Sequence, residues 1–320
     1  MDVFFFEAFE EEEEALRHYL PASVNAGFTW KTIQEYGAAT PPAPIISIRT
    51  QSALPLEWAG DLSAILSRST GYDHLHAYQD ATGSDLPCGF LPLYCHRAVA
   101  EHALMLMLAL YRKLPQQTEQ FKTFHRDGIT GREIQAKTLL VVGVGNIGGQ
   151  VVNIGHGMGM NVLCVDLEEK YPGENYVTVE EGLPQADIIV CAMNLTKVNR
   201  GYFTYDLLKK AKPGALFVNI SRGELSPATN LLRLLDEGHL SGVGIDVYDQ
   251  EKYLAIALRS GGTSDDPEVA AILEMAKRSN VICTPHNAFN SEEGVDRKSG
   301  QSIEQIVNFL EKGEFIWSAP

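Results

Sequence analysis

The chain has 320 residues, a formal net charge of −15 and 45% hydrophobic residues. That length is roughly twice the usual single domain, so two domains are expected, and the acidity weighs against binding to a polyanion such as nucleic acid. The five cysteines, Cys88, Cys95, Cys164, Cys191 and Cys283, show no C-x-x-C spacing, and three fall in apolar runs. They read as reduced thiols of a cytoplasmic protein, and no metal-ligand spacing accompanies them. The opening MDVFFFEAFEEEEE lacks the basic flank and apolar stretch of a secretory signal. No run approaches the ~20 apolar residues of a membrane span.

In chain order, Val3 to Phe6 reads as a short buried strand, and Glu10 to Glu14 opens a helix that runs to Leu20 before Pro21. A block of acids in a first helical turn suits the positive end of the helix dipole. That reading is preferred to an acidic interaction tag. Ile45 to Ile48 and Leu62 to Leu66 are further apolar runs bounded by Pro, Gly or polar residues, as in a small α/β domain. From Ala98, AVAEHALMLMLALYRKL predicts a long helix that is apolar nearly all round, hence buried or in a subunit interface. His102 within it is expected to be a satisfied core or interface residue.

A regular alternation follows. Strands are predicted over Thr138–Val142, Asn161–Val165, Ile188–Ala192, Ala215–Ile220, Gly242–Val247 and Val281–Thr284. Helices are predicted over Ile147–Met158, Thr204–Lys210, Pro227–Glu237 and Pro267–Arg278, with a last one over Ser302–Leu310 that returns to the first domain. Strands alternating with helices imply parallel sheets covered on both faces.

The segment TLLVVGVGNIGGQVVNIGHGMGMNVLCVD holds the sharpest motif. Gly143, Gly145 and Gly148 spell G-x-G-x-x-G directly after a strand and opening a helix. In such a loop Gly143 permits the tight turn, Gly145 lets the backbone approach a pyrophosphate, and Gly148 lets helix and strand pack closely. The free N–H groups of the helix start then meet the phosphate charge. Asp166 ends the next strand, 18 residues after Gly148. A carboxylate there accepts hydrogen bonds from the adenosine ribose and repels a 2′-phosphate, which favours NAD over NADP. Glu168 and Glu169 strengthen that repulsion.

Three later segments carry candidate chemistry: VNISRGELSP with Arg222, GVGIDVYDQEKY with Asp246 and Glu251, and VICTPHNAFN with His286. Each lies where a strand leaves the sheet at its carboxyl end, the edge at which open α/β sheets bind ligands. The residue types suit oxidation of an alcohol beside a carboxylate. Arg222 offers a bidentate fork for the carboxylate. His286 can exchange the hydroxyl proton. Glu251 can hold the imidazole and favour its protonated form, while Asp246 can bind the carboxamide end of the cofactor or order its loop.

With these residues in hand, the chain resembles the D-isomer-specific 2-hydroxyacid dehydrogenases, in particular their D-lactate dehydrogenase-like branch. The resemblance covers nearly the whole chain through SRSTGYDHL (67–75), YCHRAVAEHALMLMLALYRKL (94–114), VVGVGNIG (141–148), VNISRGEL (218–225), GIDVYDQE (244–251) and TPHNAF (284–289). Arg222 and Glu251 stand 29 residues apart, as that branch places them. The resemblance implies an α/β protein of two Rossmann-like domains, with parallel doubly wound sheets and a cleft between them. The substrate domain would be 1–97 plus 292–320, and the NAD-binding domain 98–291. It implies a triad of Arg222, Glu251 and His286. NAD would be held by Gly143, Gly145, Asn146, Ile147, Gly148, Asp166, Asn194, Thr196, Ile220, Ser221, Asp246 and Ala288. A 2-keto or 2-hydroxy acid would be held by Thr70, Gly71, Tyr94, Arg222 and His286. A homodimer joined through the NAD domains is the assembly implied.

Two stretches depart from the family's pattern. Ala192-Met193-Asn194-Leu195-Thr196 stands where His-x-Pro-Leu-Thr is usual, which bears on the cofactor-side loop. The segment between Glu251 and His286 is long, and a helix or lid is expected there. Two other readings remain at this point. One is an NAD-sensing corepressor-like protein, against which the acidic charge argues; the other is a formate- or phosphite-type dehydrogenase.

Overall fold

The structure is a computed structural model and describes residues 1–319. Two compact units are formed, one by Met1–Cys95 together with the chain from Asn290 onward, the other by His96–Phe289. The divisions fall at 95/96 and 289/290, two residues before the expected 97/98 and 291/292. The reason is local: the long helix starts at His96, and Ser291 caps the last one.

In chain order the first unit runs β1 (Val3–Phe5), α1 (Glu10–Tyr19), β2 (Ala26–Phe28), α2 (Ile33–Tyr36), β3 (Ile45–Ile48), β4 (Ala64–Ser67), α3 (Asp73–Thr82) and β5 (Cys88–Gly89). All its strands are parallel, in the order β2-β1-β3-β4-β5. The order reverses between β1 and β3, which makes their carboxyl ends the switch point of this sheet. Phe4, Phe6, Ile46, Ile48, Trp58, Ile65 and Leu75 form its core. Each such side chain contributes about 1.5–3 kcal/mol by leaving water.

The second unit begins with α4 (His96–Tyr111) and α5 (Leu114–Phe121). It continues through β6 (Thr138–Val142), α6 (Asn146–Gly157), β7 (Asn161–Val165), α7 (Val179–Gly182), β8 (Ile188–Cys191), α8 (Tyr205–Leu208) and β9 (Ala215–Asn219). It ends with α9 (Ala228–Asp236), β10 (Leu240–Ile245), α10 (Glu251–Ser260), α11 (Pro267–Met275) and β11 (Val281–Cys283). Its strands are all parallel, in the order β11-β10-β9-β8-β6-β7, with the reversal between β6 and β8. Leu139–Val142 and Ile188–Cys191 are apolar and buried at every position because helices cover both faces of a parallel sheet. α4 packs on β9 and β10, which accounts for its apolar faces. The long segment after Glu251 is occupied by α10 and α11.

The chain then returns to the first unit as α12 (Glu292–Lys312), which packs along α1. The acidic run at the start of α1 requires one correction. Glu12 is fully buried and does more than complement the dipole: its Oε1 pairs with Arg68 Nε and with Lys298 Nζ of α12, each at 2.9 Å. Both partners lie far away in sequence, so nothing within the run itself marked Glu12 apart from its neighbours.

Candidate active site

The glycine loop lies at the β6/β8 switch point of the second sheet. Gly143 follows β6 with φ +93°, a left-handed conformation that glycine adopts without steric cost, and a Cβ there would come within 2.5 Å of Met193 N in the loop after β8. A Cβ at Gly148 would lie 1.9 Å from the Gly143 carbonyl oxygen, so strand and helix meet at a distance only glycine permits. At Gly145 nothing lies within 4 Å of the Cβ position, so that face of the backbone is open.

Gly145 is the N-cap of α6 and supplies no side-chain cap, which leaves the amides of Asn146 and Ile147 available. Lys170 Nζ donates to Asn146 Oδ1 at 2.7 Å, and the Tyr171 hydroxyl donates to the Gly145 carbonyl at 3.2 Å. An ammonium at a helix N-terminus opposes the dipole unless an anion joins it. Open space, free amides and a nearby cation therefore fit a pyrophosphate. Neither Lys170 nor Tyr171 was singled out from the sequence, because each touches the loop only after β7 returns the chain.

Asp166 sits at the end of β7 and accepts from the amides of Val144 and Leu167. These bonds hold its carboxylate beside the glycine loop, and two oxygens with about four lone-pair sites leave capacity for ribose hydroxyls. On the β8 side, Asn194 and Thr196 lie in an exposed loop organised by Asn199. Asn199 accepts from Thr196 N at 2.8 Å and donates to the Asn194 carbonyl at 2.8 Å. The Ser221 hydroxyl donates to the Met193 carbonyl and joins this loop to the end of β9. Asn199 was not foreseen; its contacts depend on the turn that brings it back.

His286 and Glu251, 35 residues apart, meet with Nδ1 of the imidazole 2.8 Å from Glu251 Oε1. Both are partly exposed. His286 has φ +50°, and Gln250, directly before Glu251, has φ +60°. Such left-handed non-glycine residues cost of order 1–3 kcal/mol each and persist where surrounding contacts enforce them. Those contacts are visible here. Asp246, fully buried after β10, accepts from the Thr284 hydroxyl (2.6 Å), Asn287 N (2.9 Å) and Ala288 N (2.8 Å), and so holds both sides of His286. Of the two roles expected for Asp246, ordering the loop is the one its hydrogen bonds describe. Thr284 also meets His102 Nε2 at 2.9 Å, so the α4 histidine is hydrogen-bonded behind this loop. Burial lowers the His102 pKa, against the attraction of Asp246.

Arg222 follows the buried Ile220 and the partly exposed Ser221. Asn219, fully buried, donates to the Arg222 carbonyl and to Ser226 Oγ, each at 2.8 Å, and accepts from Ser221 N at 3.0 Å. Arg222 Nη1 donates to the Ser221 carbonyl at 2.9 Å. A Cβ at the adjoining Gly223 would lie 2.0 Å from the Tyr248–Asp249 backbone, so the Arg222 turn and the segment leading to Glu251 pack without a side chain between them. Asn219 and Gly223 support the site without having been singled out beforehand.

Thr70, Gly71 and Tyr94 belong to the first unit. The Thr70 hydroxyl lies 3.3 Å from Cys95 Sγ, and Ser69 Oγ donates to the Gly71 carbonyl at 2.6 Å. Tyr94 is buried, its carbonyl accepts from Arg297 Nε at 2.9 Å, and burial pushes its hydroxyl well above the usual tyrosine pKa.

A parallel sheet with a glycine loop at its switch point defines a dinucleotide-binding protein. Residues 104–288 match the family model for the NAD-binding domain of D-isomer-specific 2-hydroxyacid dehydrogenases. The chain is 31% identical over 261 residues to 2-hydroxyacid dehydrogenase A of Aspergillus oryzae, covering 80% of this chain and 74% of that one. It is 31% identical to a D-lactate dehydrogenase of Leuconostoc mesenteroides, covering 77% and 75%. Among solved structures, a D-lactate dehydrogenase of Aquifex aeolicus complexed with NAD and lactic acid superposes with a TM-score of 0.83 at 26% identity, covering 98% of this chain and 99% of that one. The chain belongs to the D-isomer-specific 2-hydroxyacid dehydrogenases, on their D-lactate dehydrogenase-like branch. It is an NAD-dependent oxidoreductase that interconverts 2-keto and 2-hydroxy acids.

Proposed function

We propose that Arg222, Glu251 and His286 carry the reduction of a 2-keto acid to the D-2-hydroxy acid. The 2.8 Å bond between His286 Nδ1 and Glu251 is the observation that supports this reading most. With Nδ1 engaged, Nε2 is the nitrogen left to exchange a proton with the substrate oxygen. Glu251 fixes the orientation of the ring. Arg222 pairs with the substrate carboxylate through its planar fork and draws charge from the adjacent carbonyl. The glycine loop and Asp166 would hold NAD, whose chemistry when bound is to supply or accept the hydride. Thr70, Gly71 and Tyr94 are the substrate contacts of the first unit under the same reading.

A homodimer fits the exposed Met105, Leu114, Phe121 and Phe124 on and just after α4 and α5. The free thiols fit a cytoplasmic setting, and the net charge of −15 fits a protein with no nucleic-acid partner. Among the described residues no helix is long and apolar enough to cross a membrane.

The test is turnover of NADH with 2-keto acids of graded size, from glyoxylate and pyruvate to phenylpyruvate. At least one is expected to be reduced, giving the D product on a chiral column. Tight NADH binding without reduction of any of them, or formation of the L product, overturns the assignment.

A further inference from the structure

We propose that His102, on α4, is a positioning residue for the reaction: through the Thr284 hydroxyl it fixes the turn that carries His286. This rests on the assignment of proton exchange to His286 and adds a residue that acts through that turn.

From the sequence, His102 reads as a satisfied histidine of an apolar helix. Its partner gives it a further role. The His102 side chain is 14% exposed, and its Nε2 lies 2.9 Å from Thr284 Oγ1 and 3.6 Å from Asp246 Oδ1. A threonine hydroxyl has one proton to donate and two lone pairs with which to accept. Thr284 donates that proton to Asp246 Oδ1 at 2.6 Å. Asp246 also accepts from Asn287 N through Oδ1 and from Ala288 N through Oδ2, so it is the acceptor throughout. Thr284 Oγ1 therefore accepts from His102. The direction of the line is fixed: His102 Nε2–H donates to Thr284, and Thr284 donates to Asp246. Burial lowers the His102 pKa, which keeps the ring neutral at neutral pH. The single ring proton of a neutral imidazole then stands on Nε2.

The backbone of Thr284 is committed to the same turn. Its amide donates to the Ile245 carbonyl at 3.0 Å. Its carbonyl accepts from His286 N at 2.9 Å and from the Tyr248 hydroxyl at 2.8 Å. Only Pro285 separates Thr284 from His286. The rotamer of Thr284 and the placement of His286 thus form one arrangement, and α4, packed on β10 and β11, backs it. His286 needs that support, since its backbone sits at φ +50° and a left-handed non-glycine residue persists only where contacts enforce it. Glu251 orients the imidazole ring, and the line from His102 through Thr284 to Asp246 sets the backbone beneath it.

Two amides at position 102 test this geometry at equal polarity. A glutamine amide reaches the place of Nε2, whereas an asparagine amide reaches only that of Nδ1. The measurement is kcat with the fastest-reduced acid of the graded series, counted per NADH-binding site so that a misfolded fraction does not register. NADH affinity is read separately by fluorescence. His102→Gln is expected to keep kcat within about threefold of wild type and His102→Asn to lower it about ten- to a hundredfold, with NADH affinity nearly unchanged in both. Thr284→Val is expected to lower kcat at least as far, and His102→Asn added to it to cost nothing more, because His102 acts through that hydroxyl. Equal kcat for the two amides, additive losses in the double variant, or an equal loss of NADH binding by both amides each overturn the proposal. The pair of amides decides alone if Thr284→Val does not fold. Wild-type turnover by His286→Gln removes the acid–base assignment on which the proposal rests. A loss there beside an unaffected His102→Asn leaves that assignment standing and removes only the positioning role.

Discussion

The decisive interaction at the residue scale is a single hydrogen bond between two side chains that the backbone presents at strained positions. His286 at φ +50° and Glu251 beside Gln250 at φ +60° meet at 2.8 Å. Asp246 restrains the histidine loop through three hydrogen bonds, and the energy of those bonds offsets the left-handed turn. Replacing the imidazole with an amide keeps much of the volume but removes the group proposed to exchange the proton. His286→Gln is therefore expected to lower kcat by about 10²–10⁴-fold while NADH still binds, as read by quenching of protein fluorescence. Turnover within a few-fold of wild type would remove His286 from the acid–base role.

Glycines at the scale of the element decide how closely the turns of the second sheet approach one another. Gly148 brings α6 against β6, and Gly223 brings the Arg222 turn against Tyr248 and Asp249, just ahead of Glu251. A methyl group at either place must displace backbone, but the two displacements belong to different functions. Gly148→Ala is expected to weaken NADH binding by about tenfold or more, since the helix-start amides proposed to meet the phosphate would move. Gly223→Ala is expected to retain NADH affinity within a few-fold and lose about 10²-fold in kcat, the usual consequence of a displacement near 1 Å between reacting groups. Equal losses of binding by both variants would contradict this division of labour.

The first unit, at the scale of the whole molecule, is drawn together from the two ends of the chain by the Glu12–Arg68–Lys298 cluster. Burial alone would raise the Glu12 pKa, but Arg68 and Lys298 outweigh it and hold the carboxyl down to about 2. Glu12→Gln leaves the cations facing one another and is expected to destabilise the protein by about 3–5 kcal/mol, measured by denaturant unfolding. Lys298 behaves oppositely. Its pKa of about 7 lies below the ordinary lysine value of 10.5, so the unfolded chain binds more protons between those pH values. Its burial therefore costs stability fully below pH 7, and the cost fades as pH rises toward 10.5. Lys298→Met is expected to gain most over wild type near pH 6, with the gain shrinking by pH 9. A gain that grows with pH would show that the lysine is not charge-penalised.

The sequence by itself determined the class of fold, the glycine loop and the types of residue at the strand ends. Those features rest on local physics: apolar runs of strand length, helix-period patterns between them, and glycines where a turn and a helix start coincide. β6 and β7 therefore match their expected limits, and most other strands shift by one or two residues because apolar runs do not mark where pairing stops. Only the tertiary structure decided which acids of the Glu10–Glu14 run matter, that Asp246 holds the His286 loop, that Asn199, Asn219 and Gly223 shape the turns, and that Arg49 joins Lys298 around Phe9. Each of these depends on partners tens to hundreds of residues away or on a turn's exact path. A carboxylate's burial and charge partners are set by packing, and periodicity carries no information about them.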